Sequence, residues 1–253
     1  MNRRHFLSTG AVAAGVACLG QAEGTPSKGA PSKGAKGLPG FKKGCRLLFQ
    51  GDSITDMKWG RDEKDRNHYL GHSYVFLLAA RLGVEMPEAQ LDFYNRGRSG
   101  HTVANLRKRW QAEAVEMKPD LLSILVGTND ARMQVKPDDF ERDYRFIVNQ
   151  SRDANPNLRL VLMNPFMLRS GKYTDKDLYL EQRFFADRYS RIVEAIATDF
   201  NAVHIKLDHV FDEAAKKVSP EHWIWDGIHP LPQGHELIAR EWLRAVSARW
   251  PDG

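Results

Sequence analysis

Ser53 stands in the stretch Gly51-Asp52-Ser53-Ile54-Thr55, directly after the apolar run Leu47-Leu48-Phe49. A hydroxyl at a strand exit becomes a nucleophile when a base and an oxyanion site converge on it. The Gly before it lets the backbone turn sharply. Taken alone, the stretch reads more readily as a helix N-cap, since Ser and Asp are both good caps. Candidate partners lie far along the chain. Asp226 and His229 stand three apart within Trp223-Ile224-Trp225-Asp226-Gly227-Ile228-His229-Pro230. That spacing lets one carboxylate reach the near imidazole nitrogen while the far nitrogen faces a nucleophile. A lone Asp-x-x-His is more often a surface turn, and Trp223 and Trp225 either wall off water or pack as core. Gly100 lies in Asn95-Arg96-Gly97-Arg98-Ser99-Gly100-His101-Thr102, where it can present its N–H to a ligand or belong to a plain turn capped by Thr102. Asn129, in Gly127-Thr128-Asn129-Asp130, carries an amide able to donate to a developing oxyanion. Asn and Asp also favour turns for local reasons.

These positions need a scaffold. Apolar runs at 46–50, 91–95, 121–126, 158–163 and 202–205 alternate with amphipathic stretches at 73–82, 102–116, 137–153, 180–200 and 208–217, and a last helix is expected over 232–249. Such alternation predicts parallel strands joined by crossover helices. The run at 121–126 is apolar almost throughout, as a strand covered on both faces should be. The expected fold class is α/β: a three-layer α/β/α sandwich with a five-stranded parallel sheet, flavodoxin-like. Ser53, Gly100 and Asn129 each follow a predicted strand, where open α/β sheets place their ligands.

Taken in this order, Ser53, Gly100, Asn129, Asp226 and His229 resemble the SGNH (GDSL-type) hydrolase family. The resemblance covers 46 to about 246, nearly all of the folded part. Within the family, Gln50-Gly51-Asp52-Ser53-Ile54-Thr55-Asp56, the Asn95–Thr102 stretch and Trp225-Asp226-Gly227-Ile228-His229-Pro230 look most like the acetylxylan esterase branch. The resemblance implies Ser53 as nucleophile, His229 as base and Asp226 as the group orienting it. It also implies an oxyanion hole of the Ser53 N–H, the Gly100 N–H and the Asn129 amide, with no metal and no cofactor. Ile54 replaces the Leu of the commonest pattern, a conservative apolar swap. The implied reaction is ester hydrolysis through an acyl-Ser53 intermediate, with a small-molecule or oligosaccharide ester as substrate. A lysophospholipase or thioesterase, and a non-catalytic carbohydrate-binding module on the same fold, are the alternatives. The branch also implies a homo-oligomer, for which the sequence marks no interface.

Candidate substrate contacts are Asp52, Trp225 and His101, although Asp52 also suits a structural role, holding its turn through backbone N–H groups. Asp56 and Arg98 lie beside the motifs and either touch substrate or form a salt bridge. The α/β-hydrolase elbow is excluded because it needs Gly two residues after the Ser, where Thr55 stands. The six histidines outside the motifs other than His5 lack a ligand spacing with a third ligand in view, so no metal is expected. The polar segment 58–71 is too aperiodic to assign and is a candidate loop over the site.

The formal charge is +5, but seven basic residues and one acid lie before Gly44. The chain from Gly44 onward is close to neutral, which argues against nucleic acid as a partner. Residues 1–22 read as an export signal of twin-arginine type: Arg3-Arg4, then a short apolar run too brief for a stable membrane span. Cys18 is an alternative lipid-anchor site. The expected location is periplasmic or secreted. Residues 23–44, with Pro-Ser-Lys-Gly-Ala repeated, read as a flexible tether, and 45–253 as the folded domain.

Overall fold

The computed structural model describes residues 37–252. The expected export segment 1–22 with Cys18, and tether residues 23–36, lie outside the described residues. Five strands form one parallel sheet: β1 (Arg46–Gly51), β2 (Asp92–Gly97), β3 (Leu121–Leu125), β4 (Arg159–Met163) and β5 (Val203–Ile205). Their order is β2-β1-β3-β4-β5, that of a flavodoxin-like doubly wound sheet. Gly51 pairs with Gly97 on one side and Leu125 on the other, so three strands end level and their loops meet.

Side chains alternate across the sheet because successive strand residues point to opposite faces. Leu47 and Phe49 join a core with α2 (Tyr74–Glu85), α7 (Leu207–Ala215) and α9 (Pro232–Arg249). Leu48, Leu122 and Ile124 join the other, with α3 (Val103–Trp110), α5 (Pro137–Ala154) and α6 (Lys176–Asp199). Two fully buried tryptophans anchor these layers, and each indole N–H finds an acceptor, as a buried one requires. Trp242 donates to Ser123 Oγ at 3.1 Å and Trp110 to Ser151 Oγ at 2.9 Å.

Several boundaries differ from the sequence expectation, each for a local reason. β2 continues two residues further, through Arg96 and Gly97. α6 begins at Lys176 because the Asp175 side chain caps it, accepting the Leu178 N–H at 2.9 Å. α3 stops at Trp110 and gives way to a π-turn, Gln111–Val115, closed by Glu116 N–H to Gln111 O at 2.9 Å. The single turn α8 (Pro220–Trp223) is too short to carry a periodic signal. Residues 37–44, expected as tether, lie against the domain. Pro39 bridges Pro251, Gly40 N–H donates to Trp250 O at 2.8 Å, and Arg159 donates to Gly40 O at 2.7 Å. The expected domain start at Cys45 is therefore late.

Candidate active site

Ser53 opens a single helical turn, α1 (Ser53–Asp56), at the exit of β1. Gly51 is required there by close approach: a Cβ would collide with the Leu125 carbonyl and the Thr55 side chain. Asp52 caps the turn, its Oδ1 accepting the Ile54 N–H at 3.0 Å. Its side chain is only 1% exposed, so the expectation of a substrate contact at Asp52 is corrected: the carboxyl lies beneath the turn. Burial raises its pKa to about 6, against the Ile54 N–H and the His229 charge.

Ser53 Oγ lies 2.9 Å from His229 Nε2, although 176 residues separate them. His229 Nδ1 lies 2.6 Å from Asp226 Oδ2. Asp226 Oδ1 accepts the backbone N–H groups of His229 at 2.7 Å and Ile228 at 3.0 Å. Burial alone would raise the Asp226 pKa, but the His229 ring and these two N–H groups hold it below the usual value. An ionised carboxylate only accepts, so Nδ1 carries the proton and Nε2 is left to accept from the Ser53 hydroxyl. The loop is braced from behind. Gly227, at φ +87°, leaves no room for a Cβ against the Tyr173 ring, and Ser170 Oγ donates to Ile224 O. The segment after β4 supplies this brace, and no motif in the sequence marks it.

The other expected groups converge on the same end of the sheet. Ser53 N–H and Gly100 N–H make no hydrogen bond among the described residues. Gly100 has φ +81°, a conformation that favours Gly. Asn129 sits in the first turn of α4 (Thr128–Arg132), and its Nδ2 donates one hydrogen to His101 O at 3.1 Å, leaving the second free. Asp56 is buried and makes a salt bridge, accepting from Arg61 at 2.6 Å and from both N–H and Oγ–H of Ser99 at 2.8 Å. Arg98 pairs with Glu113. His101 is half-buried, and its Nδ1 accepts from Arg109 Nε at 3.3 Å. Burial, then the Arg109 and Arg98 charges, lower its pKa. Trp225 is 61% exposed at the rim of the Asp226–His229 loop. Segment 58–71 folds back on the exit of β2, with the Trp59 indole N–H and an Arg61 N–H both donating to Gly97 O.

Asp130, fully buried, accepts the Val103 N–H at 3.1 Å and so ties α4 to the start of α3. Burial pushes its pKa up to about 7, against the pull of backbone N–H groups. Its proton is then held more tightly in the folded chain than in the unfolded one. That contribution to stability is complete below the ordinary carboxyl value of about 4 and is lost as pH rises through about 7. Asp130→Asn keeps the acceptor and removes the titration. Its Tm should fall less than that of the wild type between pH 4.5 and 8; an equal fall in both would show Asp130 ionised throughout.

Among the described residues no three His, Cys, Asp or Glu side chains are grouped to hold a metal ion. Several hollows lie away from Ser53. One of about 440 Å³, lined by Gln111, Ala114, Pro119 and Asn155, sits at the amino ends of the strands. A small hollow lined by Thr128, Ala131, Phe166, Met167, Tyr173, Gln182, Ala186 and Ile228 offers about 10 Å³, room for one water-sized group.

Residues 49–237 match the model of the GDSL-like lipase/acylhydrolase family. An acetylxylan esterase of Geobacillus stearothermophilus is 32% identical over 218 residues, 82% of this chain and 96% of that one. Its crystal structure superposes with a TM-score of 0.72 at 32% identity, covering 81% of this chain and 95% of that one. A GDSL-like protein of Parabacteroides merdae gives 0.77 at 32% identity, over 83% and 99%. For the Geobacillus enzyme, solved catalytic mutants carry Ala in place of a Ser, an Asp and a His, the last two three positions apart.

Proposed function

Because the chain belongs to the GDSL-like lipase/acylhydrolase family, we propose that it is a serine carboxylic ester hydrolase that removes acetyl groups from carbohydrate. The observation that carries this reading is the hydrogen-bonded run from Asp226 through His229 to Ser53. In the proposed first step, Ser53 Oγ bonds to the ester carbonyl carbon as His229 Nε2 takes the hydroxyl proton. Asp226 stabilises the resulting imidazolium. The carbonyl oxygen becomes an oxyanion and receives the Ser53 N–H, the Gly100 N–H and the free hydrogen of the Asn129 amide. Collapse breaks the bond to the sugar oxygen, which leaves with the proton from His229. Water then attacks acyl-Ser53 by the same route, releasing the acid and restoring Ser53.

Acetyl as the acyl group is supported by the acetylxylan esterase relative, 32% identical over most of both chains. Carbohydrate as the alcohol is supported by the acetylxylan esterase relative, whose mutated Asp and His share the spacing of Asp226 and His229, and by Trp225 exposed at the rim. An aromatic face of this kind suits a sugar ring. The export reading of residues 1–22 suits the same substrate, since acetylated polysaccharide lies outside the cell. The test is a 4-nitrophenyl ester series from two to ten carbons, together with acetate release from acetylated xylo-oligosaccharides. Expected are kcat/KM falling at least tenfold by the butyrate and acetate released from the oligosaccharides. Preference for acyl groups of eight or more carbons would instead favour a lysophospholipase or thioesterase.

A further inference from the structure

The proposed oxyanion donors sit on two separate segments, Ser53 at the exit of β1 and Gly100 after β2. Beyond the last ladder pair, Gly51 with Gly97, the Arg98 N–H donates to Gly51 O at 3.0 Å and Ser99 donates to Asp56, and the separation of the donors must hold to within about 0.5 Å. Arg109, in the last turn of α3, reaches both segments with a side chain only 12% exposed. Its Nη1 donates to Gln50 Oε1 at 2.8 Å and to Glu113 Oε2 at 2.7 Å, its Nη2 to Gly51 O at 3.5 Å, and its Nε to His101 Nδ1 at 3.3 Å. Glu113, one turn on and inside the π-turn, accepts from Arg98 Nη2 at 2.5 Å, while its backbone carbonyl accepts from Gln50 Nε2. π-turns recur at functional sites, and this one turns both the carbonyl and the carboxylate of Glu113 toward the site.

Arg98 and His101, on either side of Gly100, are thus held by one half-buried pair, while Ser99 between them is held by Asp56. The same pair grips Gln50 and Gly51, just before the nucleophile. We infer that Arg109 and Glu113 are positioning residues that clamp the 98–101 loop against the Gly51–Ser53 turn, and so set the oxyanion hole. The inference rests on the reading of Gly100 as an oxyanion donor. Neither residue touches substrate. Arg109 offers a planar fork with five donors, whereas a Lys is a single point donor that cannot span four acceptors.

The test compares full-length Arg109→Met, Arg109→Lys, Glu113→Gln and the double Arg109→Met/Glu113→Gln with Arg107→Met as control. Arg107 lies on the same helix and pairs with buried Asp143 at 2.6 Å, without a bond to the site loops. Turnover of 4-nitrophenyl acetate, thermal melting and the rate of Ser53 labelling by a fluorophosphonate are read for each. Displacing a reacting group by about 1 Å can cost about 10²-fold in rate, so Arg109→Met should lose about that much kcat with KM changed less than threefold. Labelling should slow in parallel. Glu113→Gln, nearly isosteric, should lose about tenfold, and the double should be no worse than Arg109→Met within about threefold, because one clamp is broken once. Arg109→Lys should recover only part of kcat. Arg107→Met should lower the melting temperature and leave kcat unchanged. The clamp is overturned if Arg109→Met and Glu113→Gln keep the kcat of the control, if their loss lies in KM alone, or if Lys restores full turnover. Absence of both turnover and labelling in the wild type would instead remove the esterase reading beneath it.

Discussion

Ser53→Ala should lower the turnover of 4-nitrophenyl acetate by about 10⁶-fold, the loss expected when the nucleophile of a serine triad is removed. The size reflects what Ala takes away. Without Oγ there is no acyl intermediate, and His229 is left with a base nitrogen but no proton to take. The oxyanion donors remain and can still polarise a bound ester for attack by water, which leaves a residual rate about 10³-fold above the uncatalysed one. Folding should survive, since Ser53 Oγ makes its hydrogen bond to His229 and caps no helix; Asp52 does the capping. Steady-state kinetics with a melting curve check this. A loss of less than about 10²-fold in Ser53→Ala would mean that another group carries the acyl transfer.

Asp226→Asn should cost about 10⁴-fold in kcat, more than the loss of one hydrogen bond explains. Three donors meet this carboxylate: the His229 ring and the backbone N–H groups of His229 and Ile228. Asn has only one oxygen for them. If that oxygen stays with the two backbone donors, the amide NH₂ faces Nδ1 and can only donate. Nδ1 then loses its proton, the tautomer flips, and Nε2 carries a hydrogen toward Ser53. The imidazole no longer accepts the hydroxyl proton, and its cation loses its counter-charge. The expected signature is a large fall in kcat with KM changed by less than about threefold, because the ground-state ester touches neither group. Asp226→Asn with kcat within tenfold of the wild type would show that Asp226 does not set the tautomer.

Much of this architecture is legible in the residues themselves. The continuous apolar run Leu47-Leu48-Phe49 marks a strand covered on both faces, and the structure sends Leu47 and Phe49 to one core and Leu48 to the other. Ser53, Gly100, Asn129, Asp226 and His229 stand out because short motifs sit at strand exits or before the last helix. What stays hidden depends on contacts between distant segments. Asp52 looks able to meet substrate because its neighbour does, yet helix capping turns its carboxyl inward. The need for Gly51 comes from the Leu125 carbonyl, more than seventy residues away, and not from a turn conformation. Arg109 and Glu113 read as an ordinary i, i+4 pair on a helix face; only the sheet brings Gln50, Gly51 and His101 within their reach. Residues 37–44 have a tether's composition, but Pro39 and Gly40 find the chain end at Trp250 and Pro251. The aperiodic 58–71 segment gives no signal because single side chains, Trp59 and Arg61, place it rather than a repeating pattern.

The most direct test of Ser53 as an activated nucleophile is the intact mass of the full-length protein after brief exposure to a fluorophosphonate, combined with peptide mapping. The expected result is one phosphonyl adduct on the peptide carrying Gly51-Asp52-Ser53, formed quickly in the wild type, slowly in Asp226→Asn and not at all in Ser53→Ala. Ester hydrolysis persisting with Ser53 unmodified, or an adduct on a different residue that abolishes it, would contradict the assignment.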